Sequence, residues 1–189
     1  MGARITVPPA AGAPPMTSSR QNRRTGMPKP QAPVSVSRSI AAPPAVLFAH
    51  LARPVYHPAI DGSGLVRSTT HQVLSGVGDV FEMRMCNDFL GDYVIENHVV
   101  EFERHRCLAR EPVLKETSHL GARSNIGVNA HLRWRWGLTP RPDGGTLVTE
   151  SYDLSRSPAW LHEATNEGED WRRAMEASLE NLARMVEGT

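Results

Sequence analysis

Two side chains in this sequence have the type and setting for proton chemistry. From Thr146 to Leu154, alternation puts Val148, Glu150 and Tyr152 on one strand face, so Glu150 is a carboxylate between apolar neighbours. Turned into an interior it would lose hydration and its pKa would rise, making it a candidate general acid or base. Paired with an arginine across a sheet, or turned outward by a bulge, it is a structural carboxylate instead. His98 is the second candidate. It lies in Tyr93 to Glu103, where Val94, Glu96, His98, Val100 and Phe102 oppose Tyr93, Ile95, Asn97, Val99 and Glu101. This pattern leaves open whether His98 or Asn97 points inward, and a lone strand histidine is more often a hydrogen-bonded structural residue than a base.

Sharper signatures fail. His162-Glu163-Ala164-Thr165-Asn166 begins like a zinc-protease helix, but its fifth position is Asn166, so the second ligand is missing and no metal is expected. Asp61-Gly62-Ser63-Gly64-Leu65 lacks the flanking glycines of a serine-hydrolase elbow. Gly76-Val77-Gly78 lacks the third glycine of a nucleotide loop and falls in a hairpin. Asp61 reads as the residue that turns the Gly62/Gly64 loop, with catalysis the lesser alternative.

The elements that position these residues follow from composition and period. The chain has 189 residues, 40% hydrophobic and 6% aromatic, and no run long enough to span a bilayer, so neither several domains nor an integral membrane protein is expected. Residues 1–33 hold seven of the fifteen prolines, the basic residues Arg4, Arg20, Arg23, Arg24 and Lys29, and no acid. This segment reads as a disordered tail ahead of a single domain at 34–189, or in part as sequence ahead of a start at Met16 or Met27. Broken by prolines, it forms neither a secretory nor a twin-arginine leader. Because the whole chain carries only +1, the body without those basic residues is net negative, and nucleic-acid binding by it is not expected. Cys86 and Cys107 lack C-x-x-C spacing and read as buried, reduced thiols in a cytoplasmic protein.

Val34 to Ile40 alternates as a first strand, Pro43-Pro44 opens a helix with Val46, Leu47, Phe48 and Leu51 as its apolar face, and Pro54 ends it. A short turn at Val55 to Ile60 follows. Strands are expected at Leu65–Leu74, Val77–Cys86, Tyr93–Glu103, Leu108–Val113, Ala130–Thr139 and Thr146–Leu154, with turn chemistry at Gly76 and in Arg141-Pro142-Asp143-Gly144-Gly145; Pro112 to Asn129 is ambiguous, loop-like but with Lys115 and Ile126 able to prolong strands. A last helix starts near Ser157-Pro158, is interrupted around Asn166 to Gly168, and carries the stripe Trp171, Met175, Leu179, Leu182 and Val186. Together these describe an α+β architecture in which a curved antiparallel sheet wraps the terminal helix.

The stretch Ser39-Ile40-Ala41-Ala42-Pro43-Pro44-Ala45-Val46-Leu47-Phe48 carries a family resemblance, as do His57-Pro58-Ala59-Ile60-Asp61-Gly62-Ser63-Gly64 and Val99-Val100-Glu101-Phe102-Glu103. Gly144 to Glu150 and the final helix ending Leu179-Glu180-Asn181-Leu182 add to it. The chain resembles the START/Bet v1-like (SRPBCC) superfamily, in its polyketide cyclase/dehydrase-like branch, from about Val34 to Glu187. The resemblance implies a helix-grip fold with a deep cavity between the sheet and the final helix, occupied by a hydrophobic small molecule, and it carries no catalytic fingerprint.

Phe81, Met83 and Met85 share a strand face, and Trp134 and Trp136 share another with Leu132 and Leu138; each set is either core or cavity wall. With His57, Asn97 and Tyr152, and with Trp171 and Met175 of the final helix, they form the expected ligand-binding set; Glu150 and His98 are the catalytic candidates. No cofactor is implied. The expectation is a monomeric or homodimeric carrier or sensor of a lipid-like or polyketide-like molecule. The alternatives are a cofactor-free cyclase or dehydratase, and an interaction module tethered by the tail.

Overall fold

The computed structural model describes residues 32–188, so the expected tail lies outside the described residues except for Ala32 and Pro33. Among the described residues seven strands, all paired antiparallel, form one sheet in the order β1-β7-β6-β5-β4-β3-β2. They are β1 (Val34–Ile40), β2 (Val66–Thr69), β3 (Val80–Asn87), β4 (Gly91–Glu103), β5 (Cys107–Thr117), β6 (Arg133–Pro140) and β7 (Thr146–Asp153). Helices α1 (Pro44–Leu51) and α2 (His57–Ile60) connect the two edge strands, β1 and β2. Pro44 opens α1 at its first turn, where a missing N–H costs nothing, and Pro54 begins the 3₁₀ turn that follows it.

The chain ends with α3 (Ala159–Ala164), a 3₁₀ segment Asn166–Trp171 and α4 (Arg172–Glu187). The expected interruption is present: Asn166, Glu167 and Gly168 all have positive φ, which breaks the helical path and redirects α4. Helix α4 buries Met175, Ser178, Leu179, Leu182 and Ala183 against β1, β7, α1 and α2. On β7, Thr146, Val148, Glu150 and Tyr152 are buried while the residues between them are more open, so the period of two holds along the whole strand.

Two expectations about the strands are corrected, and the ambiguous segment after Val113 is resolved in part. The expected strand Leu65–Leu74 contracts to β2, because the Leu74 N–H bonds the Ala52 carbonyl at 2.8 Å and draws residues 71–77 off the sheet. The Asp79 carboxylate then takes the N–H groups of Ser75 and Gly76 and closes a turn, so β3 starts at Val80 instead of Val77. In the other direction, β5 continues past Val113 to Thr117. Its partner β6 stops opposite Arg110, so Pro112 lies where β5 needs no ladder donor toward β6. Both cysteines are free, but only Cys107 is buried; Cys86, near the end of β3, is partly open.

Candidate functional site

The concave face of the sheet gathers most of the expected ligand-binding residues. Strand β3 directs Phe81 and Met83 inward, each 1% exposed, with Met85 partly buried behind them. Strand β6 supplies Trp134 and Trp136, β7 supplies Tyr152, and Met175 of α4 closes over them. Trp134, Tyr152 and Trp171 form one aromatic cluster, with ring centroids 4.6 Å, 5.4 Å and 5.9 Å apart. His57 of α2 is buried edge-on to Phe81 at 5.5 Å, and its Nε2–H donates to the Leu51 carbonyl at 2.9 Å.

Polar groups enter this apolar interior from three strands. The β3–β4 register puts Asn97 opposite Phe81, so Asn97 points inward and is fully buried. His98, the next residue on a period of two, must point outward. Its side chain is 43% exposed and lies 3.9 Å from Glu96 on the convex face, so His98 is not brought to the site expected for it. Glu150 is inward and buried, between Val36 of β1 and Trp136 of β6.

The third strand, β5, brings Arg110, which the sequence reading did not single out. Its Nη1 donates to Asn97 Oδ1. Arg110 shares the inward parity of Leu108, the one sequence signal that points to it; the contrast is blurred because Ala109 and Glu111, on the other face, are also buried.

Burial dominates the electrostatics of this cluster. It pushes the Glu150 carboxyl well above the usual carboxylate range; the nearby Arg110 charge opposes the shift and Asp61 reinforces it. Burial and the Arg110 charge bring His57 down to about 4, so its ring is neutral at pH 7. Burial also lowers Arg110, to about 10, which leaves it a cation. Asp61 itself turns the loop, as expected. Its Oδ1 accepts from Ser63 N and Oγ at 3.0 and 2.6 Å, and its Oδ2 accepts from Val66 N at 2.9 Å.

Three atoms of the cluster are sequestered without a hydrogen-bond partner: Asn97 Nδ2, Arg110 Nε and Glu150 Oε2. The other deeply buried glutamate is the opposite case. Glu111 takes Arg133 through two nitrogens at 3.3 and 2.9 Å and Asn129 at 3.4 Å; although burial works against it, these partners hold its carboxyl below the usual range. On the same convex face Glu101 pairs with Arg135 at 2.8 Å and accepts from the Cys107 thiol at 3.0 Å. Those networks are satisfied, and the interior one is not.

Two surface depressions, of about 480 and 400 Å³, lie elsewhere. One is at the β6–β7 turn beside Glu187 and the other along the first turn of α4, and neither is lined by the interior cluster. Among the described residues no group of three His, Cys, Asp or Glu side chains is placed to hold a metal. None of their helices is long and apolar enough to cross a membrane.

Residues 31–187 match the family model described as polyketide cyclase/dehydrase and lipid transport. No curated protein matches the sequence. Among solved structures the fold is similar to protein MLL2253 from Mesorhizobium loti, at 20% identity over 84% of this chain and 98% of that one, with a TM-score of 0.57. Protein Ms6760 from Mycobacterium smegmatis is similar at 10% identity over 82% and 91% of the two chains, also with a TM-score of 0.57. Ginseng major latex-like protein 151 from Panax ginseng has the same TM-score of 0.57, at 12% identity over 82% and 96%. At these identities the likeness is one of fold.

Proposed function

The chain belongs to the polyketide cyclase/dehydrase and lipid transport family of the SRPBCC superfamily and has its helix-grip fold; on that premise we propose that it carries or senses a small molecule held between sheet and final helix. The body of the ligand lies against Phe81, Met83, Trp134 and Tyr152, and its polar end meets Asn97, Arg110 and Glu150. The observation that carries this reading is the set of three partnerless polar atoms on one inward face. A buried polar group without a partner costs about 1–3 kcal/mol, so three cost a sizeable share of the roughly 5–15 kcal/mol that holds a domain folded. A face whose only duty was packing would be more stable with apolar residues there, whereas a ligand-binding face needs such groups to orient what it binds. Met83, Met85 and Met175 supply a wall that can repack around a guest.

Native mass spectrometry of the protein purified from its own host, followed by denaturing analysis of what is released, tests this reading. The expected result is an apolar small molecule at one per chain. A protein that is empty and also takes up no apolar probe would overturn it.

A cyclase or dehydratase is the second reading, favoured by one observation: a buried, inward Glu150 carboxyl in the same cluster as the hydrogen-bonded Arg110 and Asn97. As carboxylate, Glu150 could take a proton from the carbon beside a ligand carbonyl, becoming the neutral acid, while Arg110 and Asn97 donate to the enolate oxygen that forms. Its mark is turnover of a poly-ketone that is lost in Glu150→Gln while binding persists.

A further inference from the structure

We infer that the molecule held in this interior is an anion, an apolar body ending in a carboxylate whose oxygens take the N–H groups of Arg110 and Asn97, with the Glu150 carboxyl as third partner. This rests on the ligand-binding reading above and specifies the ligand's charge and head group.

The donors and acceptors of the cluster do not balance. Arg110 Nε–H and the Asn97 Nδ2 amide are donors with nothing to donate to. The amide acceptor of the cluster, Asn97 Oδ1, is already taken by Arg110 Nη1. Glu150 shares no hydrogen bond with Arg110, so the guanidinium is not neutralised by contact with it. Asp61, the other carboxylate whose charge reaches Arg110, is occupied by three donors of its own loop. His57 spends Nε2–H on the Leu51 carbonyl.

Beside the partnerless Glu150 Oε2, the interior therefore presents two orphan N–H donors, one of them on a cation without a contacting anion. An alcohol would bring a further donor where acceptors are wanted. A ketone or ester offers acceptor oxygen but no charge. A carboxylate supplies lone pairs and charge together, and charge-assisted hydrogen bonds are roughly twice as strong as neutral ones. Burial shifts Glu150 toward its neutral form, whose hydroxyl can donate to the same head group instead of repelling it.

The test uses the full chain and two probe pairs, 2-naphthoate with its methyl ester and dodecanoate with its methyl ester, titrated calorimetrically at pH 7. At least one acid is expected to bind about 10-fold or more tightly than its ester. Arg110→Gln is expected to erase that difference. Asn97→Asp, isosteric and free to pair with Arg110, is expected to erase it as well and keeps the test open if the arginine variant fails to fold. Esters that bind as well as their acids would overturn the anion assignment while leaving the ligand-binding reading intact. An acid preference that survives a folded Arg110→Gln would overturn the assignment to this cluster. Failure of all four probes to bind would overturn the ligand-binding reading itself, and this inference with it.

Discussion

Replacing Glu150 by glutamine should change how stability depends on pH. The folded pKa of Glu150 lies well above its ordinary value of 4.5, so above pH 4.5 the folded chain holds a proton that the unfolded chain has released. Stability then falls as pH rises, by about 1.4 kcal/mol per pH unit, until the folded carboxyl also ionises. His57 works in the opposite sense. Its folded pKa is about 4 against 6.5 unfolded, so its contribution is lost at low pH and gained as pH rises through that window, about 3 kcal/mol in all. In the wild-type protein the two slopes oppose each other above pH 4.5, the His57 slope ending near 6.5 and the Glu150 slope ending where its folded carboxyl ionises. Glu150→Gln removes one slope and exposes the other. Urea denaturation followed by tryptophan fluorescence from pH 5 to 8 measures both proteins, and every other titrating group cancels in their difference. The variant is expected to gain on the wild type as pH rises above 5, by up to about 1.4 kcal/mol per pH unit until the folded carboxyl ionises. A difference that stays flat across the range would refute the argument, because Glu150 would then titrate alike in both states.

Other substitutions probe the frame around the site. His98→Ala, on the exposed convex face, is expected to shift stability by no more than about 0.5 kcal/mol and to leave probe binding unchanged, as urea denaturation and calorimetry would show. Gly168→Ala puts a Cβ at a φ of 86° and 2.7 Å from Tyr152 Cδ1, so a loss of at least about 2 kcal/mol is expected in urea. Leu182→Ala opens a hole beneath α4, where the side chain is 0% exposed, and should cost about 2–5 kcal/mol by the same assay.

Much of this interior was legible from period alone where the strand register is unbroken. Strand β7 keeps its alternation from end to end, so the inward Glu150 and Tyr152 could be read from neighbours, and the same holds for Phe81 and Met83 on β3. Strand β4 could not be read this way. Val99 faces Arg110 and Glu101 faces Ala109, so Val100 is an extra residue that resets the parity. Before the bulge the inward residues are the odd-numbered ones, Asn97 among them; beyond it Glu101 turns out to Arg135 and Phe102 turns in to Phe48. Averaged over Tyr93 to Glu103 the pattern contradicts itself, and for that reason the choice between His98 and Asn97 stayed open. The over-long expectation for β2 has a different cause. Thr69, Thr70 and Val73 suit a strand, and a single tertiary hydrogen bond from Leu74 outweighs that local preference.

The meeting of Asn97, Arg110 and Glu150 is a separate matter, because period assigns a side chain to a face and says nothing about distance across that face. Arg110 is on β5 and Glu150 on β7, with β6 and its paired tryptophans between them. On a flat sheet, strands two apart stand about 10 Å from each other, and inward side chains would project side by side. Wrapping the sheet around α4 tilts them toward one another, and the same closure removes them from water. Curvature thus both assembles the cluster and raises the Glu150 pKa, so a substitution that loosened α4 would disturb proximity and protonation together. Lone polar residues on apolar strand faces are what the sequence shows of this arrangement. The donor surplus that distinguishes an anion's binding site from a structural ion pair exists only once the third strand, with Arg110, is in place.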